Sequence, residues 1–245
     1  MSPSDKTKFI SNWIKLYVDQ MPVKARSLVI GISGGIDSSV SSTLSAMTGI
    51  KTIVLTMPIR QEDNQHNLSL KHQEWLIKNF KNVEAHTINL DKLFESFSST
   101  LKKFDNEHGY ANSRARLRMT TLYQVAAANK GIVVGTGNKV EDFGVGFYTK
   151  YGDGGVDISP IADCNKTEVW ELGKELGILK EIIEAPPTDG LWDDARTDEG
   201  QLGFKYEDLE DAMKNPNSPH RQEYEKIRKQ NLHKMEPIPV CKIPS

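Results

Sequence analysis

The stretch Ser33-Gly34-Gly35-Ile36-Asp37-Ser38 crowds two glycines, two hydroxyls and a carboxylate into one short turn. Glycines expose backbone N–H groups without side-chain interference, Ser33 and Ser38 add hydroxyl donors, and a helix starting here turns its positive end toward the turn. An anion such as a phosphate is the natural guest, with Gly31 approaching it from the strand before. A plainer reading stays open, in which glycine serves a tight strand-to-helix turn and Asp37 caps the helix. Two better-known anion loops do not fit. No lysine follows Gly35 as a Walker A loop requires, and Gly31-Ile32-Ser33-Gly34-Gly35 lacks the GxGxxG register of a dinucleotide fingerprint.

The elements that must carry this turn alternate. Leu28 to Ile32 reads as a buried strand, followed by a helix from about Asp37 to Met47. Further strands are expected at Thr52–Thr56, Ala85–Ile88 and Ile132–Val134, with helices around His66–Phe80, Ala111–Asn129 and Val169–Leu179. An N-terminal helix over residues 6–20 carries the apolar stripe Phe9, Ile10, Trp13, Ile14 and Tyr17 and closes at Pro22. Strands alternating with helices predict a mostly parallel sheet covered on both faces, although strand order cannot be read. Phe143 to Asp157, rich in glycine and aromatics, reads as an irregular ligand loop, and the C-terminal residues with Pro237, Pro239 and Pro244 as an extended tail.

Composition narrows the setting. A chain of 245 residues buries roughly three quarters of its unfolded surface, and 38% hydrophobic with 26% charged residues is ordinary globular usage. A single domain over 1–245 is expected. Lysine and arginine number 31 against 33 acidic residues, so a net charge of −2 offers no long-range attraction for nucleic acid or an anionic membrane. No stretch approaches a membrane span or a cleavable leader, which predicts a cytosolic protein. Cys164 and Cys241 lack zinc-site spacing and are read as bland.

The SGGxDS turn resembles the pyrophosphate loop of the N-type ATP pyrophosphatases. Four later segments, in order, resemble the ammonia-using NAD synthetases of that superfamily: Asn112-Ser113-Arg114-Ala115-Arg116-Leu117-Arg118-Met119, Gly135-Thr136-Gly137-Asn138-Lys139-Val140-Glu141, Phe147 to Asp157 through Lys150-Tyr151-Gly152-Asp153, and Pro187-Thr188. The resemblance runs from about Phe9 to Lys234. It implies a three-layer α/β/α, Rossmann-like nucleotide alpha-hydrolase fold, and an enzyme joining ammonia to the carboxylate of deamido-NAD (nicotinic acid adenine dinucleotide) with ATP and Mg²⁺. A homodimer sharing its substrate site is also implied.

Carried across by position, the resemblance makes Gly31, Ser33, Gly34, Gly35, Asp37, Ser38, Thr136, Lys166 and Thr188 ATP contacts. Asp37 and Glu141 become magnesium ligands, and together with Lys166 they become the catalytic residues. Arg116, Lys150, Asp157, His233 and Lys234 become deamido-NAD contacts. Their chemistry agrees, since carboxylates are hard ligands and lysines offset triphosphate charge. Plainer roles remain open: Glu141, Lys166 and Lys150 as solvated residues, and Asp157 as the end of a turn. Met235 stands where many relatives carry arginine, the Met57–Asp63 loop is shorter than in some, and no side chain is evident as a general base. No glutaminase-like region is present, so free ammonia is the expected nitrogen source. Phe143–Asp157 and Leu191–Gln201 are expected to order around ligand. The rivals are another adenylating or sulfur-transferring enzyme with the same loop, and a nucleotide sensor without turnover.

Overall fold

The computed structural model describes residues 1–60, 63–188 and 197–243. Its centre is a parallel sheet of four strands, β1 (Ser27–Gly31), β2 (Lys51–Thr56), β3 (Val83–Thr87) and β4 (Gly131–Val133), in the order β3-β2-β1-β4. The four expected strands are all present, with ends shifted by at most two residues. Val29 sits opposite Ile53 on one side and Val133 on the other. The period of two sorts the strand residues between faces. Leu28, Ile30, Val54 and Ile132 pack with α1 (Pro3–Gln20), α2 (Ile36–Met47), α3 (Asp63–Asn79) and α6 (Lys166–Glu175). Val29, Ile53, Leu55 and Val133 pack with α4 (Asp91–Thr100) and α5 (Glu107–Ala128). The result is the expected three-layer α/β/α arrangement.

Helix α1 divides its apolar stripe. Ile10, Ile14 and Val18, spaced by four, are buried against the sheet, while Phe9, Trp13 and Tyr17 lie on an adjacent face and stay 39–59% exposed. Ser2 caps the helix, accepting from the Asp5 N–H.

A smaller apolar cluster lies beyond the sheet's carboxyl edge. Val140 and Val145 of a π-helical segment (Lys139–Val145) meet Tyr206, Leu209 and Ala212 of α9 (Tyr206–Lys214) and Tyr224 of α10 (Arg221–Met235). The short helices α7 (Lys180–Ile183) and α8 (Asp198–Leu202) complete the element order. The irregular loop expected from Phe143 therefore begins three residues later, at Gly146, since Phe143–Val145 finish a helical segment. From Gly146 onward that loop is turns and a single bridge, Val134 to Ile158. Part of the Leu191–Gln201 segment lies outside the described residues, and its end, from Asp198, is α8. No described helix is long and apolar enough to cross a membrane.

Candidate active site

Strand order places the site. The chain runs outward from β1 through β2 to β3, then returns to lay β4 on the other side of β1, so the loops after β1 and β4 part at a topological switch point. After β1 come Ser33–Ser38, and after β4 come Thr136–Glu141.

The first loop is held by its own hydroxyls. Ser33 N–H and Gly35 N–H donate to Ser38 Oγ and Ser33 Oγ, each at 3.2 Å, and Ser38 Oγ donates to the Gly35 carbonyl at 3.0 Å. Gly34 has φ +92°, a conformation that a side chain would strain. Gly35 is the N-cap of α2, and Asp37, one residue into the helix, makes no cap bond. Its carboxylate turns to Lys166 Nζ and accepts from Asn138 Nδ2 at 3.1 Å, which removes the capping alternative.

The second loop folds around Asn138, whose Oδ1 accepts the N–H groups of Val140 and Glu141 at 3.0 Å and so starts the π-helical segment. A Cβ on Gly137 would lie 1.8 Å from Asp142 Oδ2, so any side chain there would displace that carboxylate. Glu141 Oε1 lies 3.0 Å from Lys166 Nζ. Two carboxylates from segments 104 positions apart thus grip one ammonium, and Lys166, only 1% exposed, is no solvated surface residue.

Burial alone pulls the Lys166 ammonium toward neutrality, but Asp37 and Glu141 outweigh it and hold its pKa above the ordinary lysine value. Burial pushes Glu141 up, yet Lys166, Tyr206 and Asn138 bring it below the usual carboxylate range. Asp37 ends raised, because burial and the charge of Glu141 exceed the pull of Lys166 and Asn138. Asp142 is raised well above the usual range by burial and by Asp153, Glu141 and Asp37, with Lys234 opposing. The site is short of positive charge, which suits a cation.

The oxygen donors fit magnesium. Asp37 and Glu141 reach a single Nζ, and a cation carried by phosphates takes only one or two protein carboxylates. Among the described residues no group of three or more His, Cys, Asp or Glu could hold a metal by itself.

The remaining sequence-derived residues fall in two places. Gly31 ends β1, Thr136 is half-buried in the loop after β4, and Thr188 is half-buried next to Pro187, whose carbonyl accepts the Asp198 N–H. A second group gathers where α10 ends. Arg116 Nε donates to the Lys150 carbonyl at 3.2 Å, Lys150 Nζ to the His233 carbonyl at 3.0 Å, and Lys234 Nζ to the carbonyls of Gly146 and Tyr148. Asp157 stands apart from these, accepting from the Val133 N–H at 2.7 Å and the Tyr123 hydroxyl at 3.1 Å while remaining exposed. The three arginines of α5 spread as helical spacing requires: Arg114 lies buried over the Phe94 ring, Arg116 is exposed, and Arg118 donates to the Met57 carbonyl.

Comparison with known proteins decides the family: the NAD synthase profile matches residues 7–243. The chain belongs to the NAD synthase family. It is an enzyme of the ammonia-dependent group, a ligase. An ammonia-dependent NAD synthetase of Carboxydothermus hydrogenoformans is 37% identical over 84% of this chain and 83% of its own length, and one of Alkaliphilus metalliredigens is 34% identical over 96% and 97%. Among solved structures, the NMN synthetase of Francisella tularensis superposes with a TM-score of 0.91 at 31% identity, over 99% of this chain and all of that one.

Sequence reading missed Asn138, Asp142 and Tyr206 as members of this NAD synthase site. Asn138 was quoted within a motif and given no role. Its place immediately before an acidic helical turn, Lys139-Val140-Glu141-Asp142, is a capping signal that could have exposed it. Tyr206 carries no such signal.

Proposed function

We propose that the chain amidates deamido-NAD with free ammonia at the expense of ATP. The observation that carries this reading is the convergence of Asp37 and Glu141 on Lys166 at the sheet's switch point, beside a glycine–serine loop, in a NAD synthase. ATP lies with its phosphates along Ser33–Ser38, near Thr136 and Thr188. The substrate carboxylate attacks the α phosphorus, forming an acyl-adenylate and releasing pyrophosphate; ammonia then attacks the acyl carbon and AMP leaves. Activation is needed because a free carboxylate holds no adequate leaving group.

Magnesium held by Asp37 and Glu141 supplies charge neutralisation on the phosphates. Lys166 starts in the grip of both carboxylates and shares the charge moving onto pyrophosphate, and the loop N–H groups add fixed donors there. Arg116, Lys150, Asp157, His233 and Lys234 orient the acid nucleotide, so the two charged substrates meet without the entropy loss of a chance encounter. Neutral ammonia brings its own lone pair, which relaxes the demand for a general base. We further propose a homodimer in which the acid site is shared, with the enzyme working in the cytosol.

The test is formation of NAD from deamido-NAD, ATP, Mg²⁺ and ammonium, together with ATP–pyrophosphate exchange. Exchange that depends on deamido-NAD is expected, and absence of exchange with any pyridine acid nucleotide rejects the reading. A second reading, in which nicotinic acid mononucleotide is the preferred acid, is favoured by the full-length likeness to the Francisella NMN synthetase. A larger kcat/KM for the mononucleotide would select it. Sedimentation equilibrium across assay concentrations is expected to give a dimer, and fully active monomers would remove the shared site.

A further inference from the structure

Tyr206 is the largest completely buried side chain among the described residues, and its hydroxyl ends among the charged groups of the site rather than in the apolar cluster around its ring. The hydroxyl donates to Glu141 Oε1 at 2.6 Å and lies 3.3 Å from Asp198 Oδ2. One phenol carries one proton for two carboxylates, and the shorter contact assigns that proton to Glu141. The ring cannot drift. Its face lies 5.0 Å from Lys166 Nζ, the Trp170 ring meets it edge-on at 5.9 Å, and the Tyr206 backbone N–H donates to Glu199 Oε1 at 3.2 Å. Glu141 sits in a seven-residue π-helical segment, a rare geometry found mostly at functional sites, and its carboxylate is held from outside that segment by Lys166 and Tyr206. The contacts also join two parts of the ATP side, since Asp198 N–H donates to the Pro187 carbonyl next to Thr188.

We propose that Tyr206 is a positioning residue for the ATP half-reaction: it acts through Glu141, holding that carboxylate where it meets the cation carried by the phosphates. The inference rests on the ATP-dependent reading above. Residues that orient a metal ligand typically alter metal affinity or activity by about 10–100-fold when removed. A ring that only filled the core would not depend on its hydroxyl.

The experiment compares the full chain with Tyr206→Phe, which keeps ring and volume, and with Leu209→Val, which loosens the same buried cluster without touching Glu141. Binding of Mn²⁺ with a non-hydrolysable ATP analogue is followed by electron paramagnetic resonance, alongside the magnesium dependence of ATP–pyrophosphate exchange and thermal unfolding. For Tyr206→Phe we expect about tenfold weaker Mn²⁺ uptake, about tenfold more magnesium at half-maximal exchange, recovery of exchange at excess magnesium, and an unchanged KM for the acid. Leu209→Val should lower the unfolding temperature and leave metal dependence alone. Combining Tyr206→Phe with Glu141→Gln should add little to the effect of Glu141→Gln by itself, since one residue acts through the other.

Metal uptake and magnesium dependence within twofold of the parent in Tyr206→Phe would overturn the proposal. So would a matching loss of metal uptake in Leu209→Val, or full additivity with Glu141→Gln. The Mn²⁺ measurement needs no acid substrate. Failure of the parent to use deamido-NAD would count against the proposed reaction and leave the Tyr206 comparison readable.

Discussion

On the proposed ATP side, Lys166 is almost fully buried and its ammonium is shared by two carboxylates, one of which is also bonded to a buried phenol. On the proposed acid-nucleotide side, Arg116 and His233 are exposed, and Lys150 and Lys234 spend their ammonium groups on backbone carbonyls. The first group is held together by the protein's own charges, which cannot easily be left unpaired. The second is held by neutral acceptors, and a phosphate or carboxylate adds an ion–ion attraction that a carbonyl cannot supply. A protein can thus fix the half of a reaction that needs developing charge stabilised and leave adaptable the half that must admit and release a large substrate.

The largest effect should come from the centre of the first group. Lys166→Ala removes the one cation between Asp37 and Glu141 and is expected to lower ATP–pyrophosphate exchange by about 10²-fold or more. It should also destabilise the fold, since breaking a buried ion pair from one side costs about 3–5 kcal/mol. Exchange at the parent rate would erase the contrast between the two sides. Next, Asp37→Asn keeps a side chain of the same shape without its charge. Turnover should fall by about 10²-fold with the unfolding temperature only modestly changed, followed by magnesium titration beside thermal unfolding.

Smaller changes are expected on the second side. Arg116→Ala and Lys150→Ala should each raise the KM of the acid substrate about tenfold and leave ATP affinity within twofold, which steady-state kinetics in both substrates can check. Asp157→Asn sharpens the comparison further. Asparagine still accepts the Val133 N–H, so stability should hold to within about 1 kcal/mol while the acid KM rises several-fold. A fall in unfolding temperature with unchanged KM would mark Asp157 as a structural clamp instead.

The smallest effect on activity, and the clearest on stability, concerns acid. His72 is fully buried, 3.0 Å from Ser42 Oγ on the helix that the phosphate loop starts. Burial pushes its pKa down from 6.5 to about 4, against a weaker opposing bond with Ser39. The folded state therefore favours the neutral ring. Its contribution is complete above the unfolded pKa of about 6.5 and is lost as pH falls toward 4, at most about 3 kcal/mol. Urea titrations at pH 7 and pH 4.5 should differ, and His72→Gln should flatten the part of that difference due to this ring.

The sequence carries the phosphate loop plainly, because two glycines, two serines and an aspartate in six residues leave few other uses. The four strands are legible for the same local reason, in their apolar runs. Strand order is not, since nothing in β4 states that it returns to the far side of β1, and the meeting of Asp37 with Glu141 depends on that return. Local signals also mislead at α1, where five apolar residues read as one stripe but three face outward. Tyr206 was illegible because its value lies in what is across from it: a tyrosine opening an acidic helix looks like any other until Glu141 is brought to its hydroxyl.

The order in which these parts occur along the chain has a consequence for synthesis. Asp37 and Lys166 stand 129 residues apart, and Tyr206 lies 65 residues beyond Glu141. Domains generally fold as units during synthesis. The glycine–serine loop is therefore synthesised long before its lysine, its second carboxylate or its tyrosine exist beside it. The cluster around Lys166 is complete only once the late segments have joined the early ones.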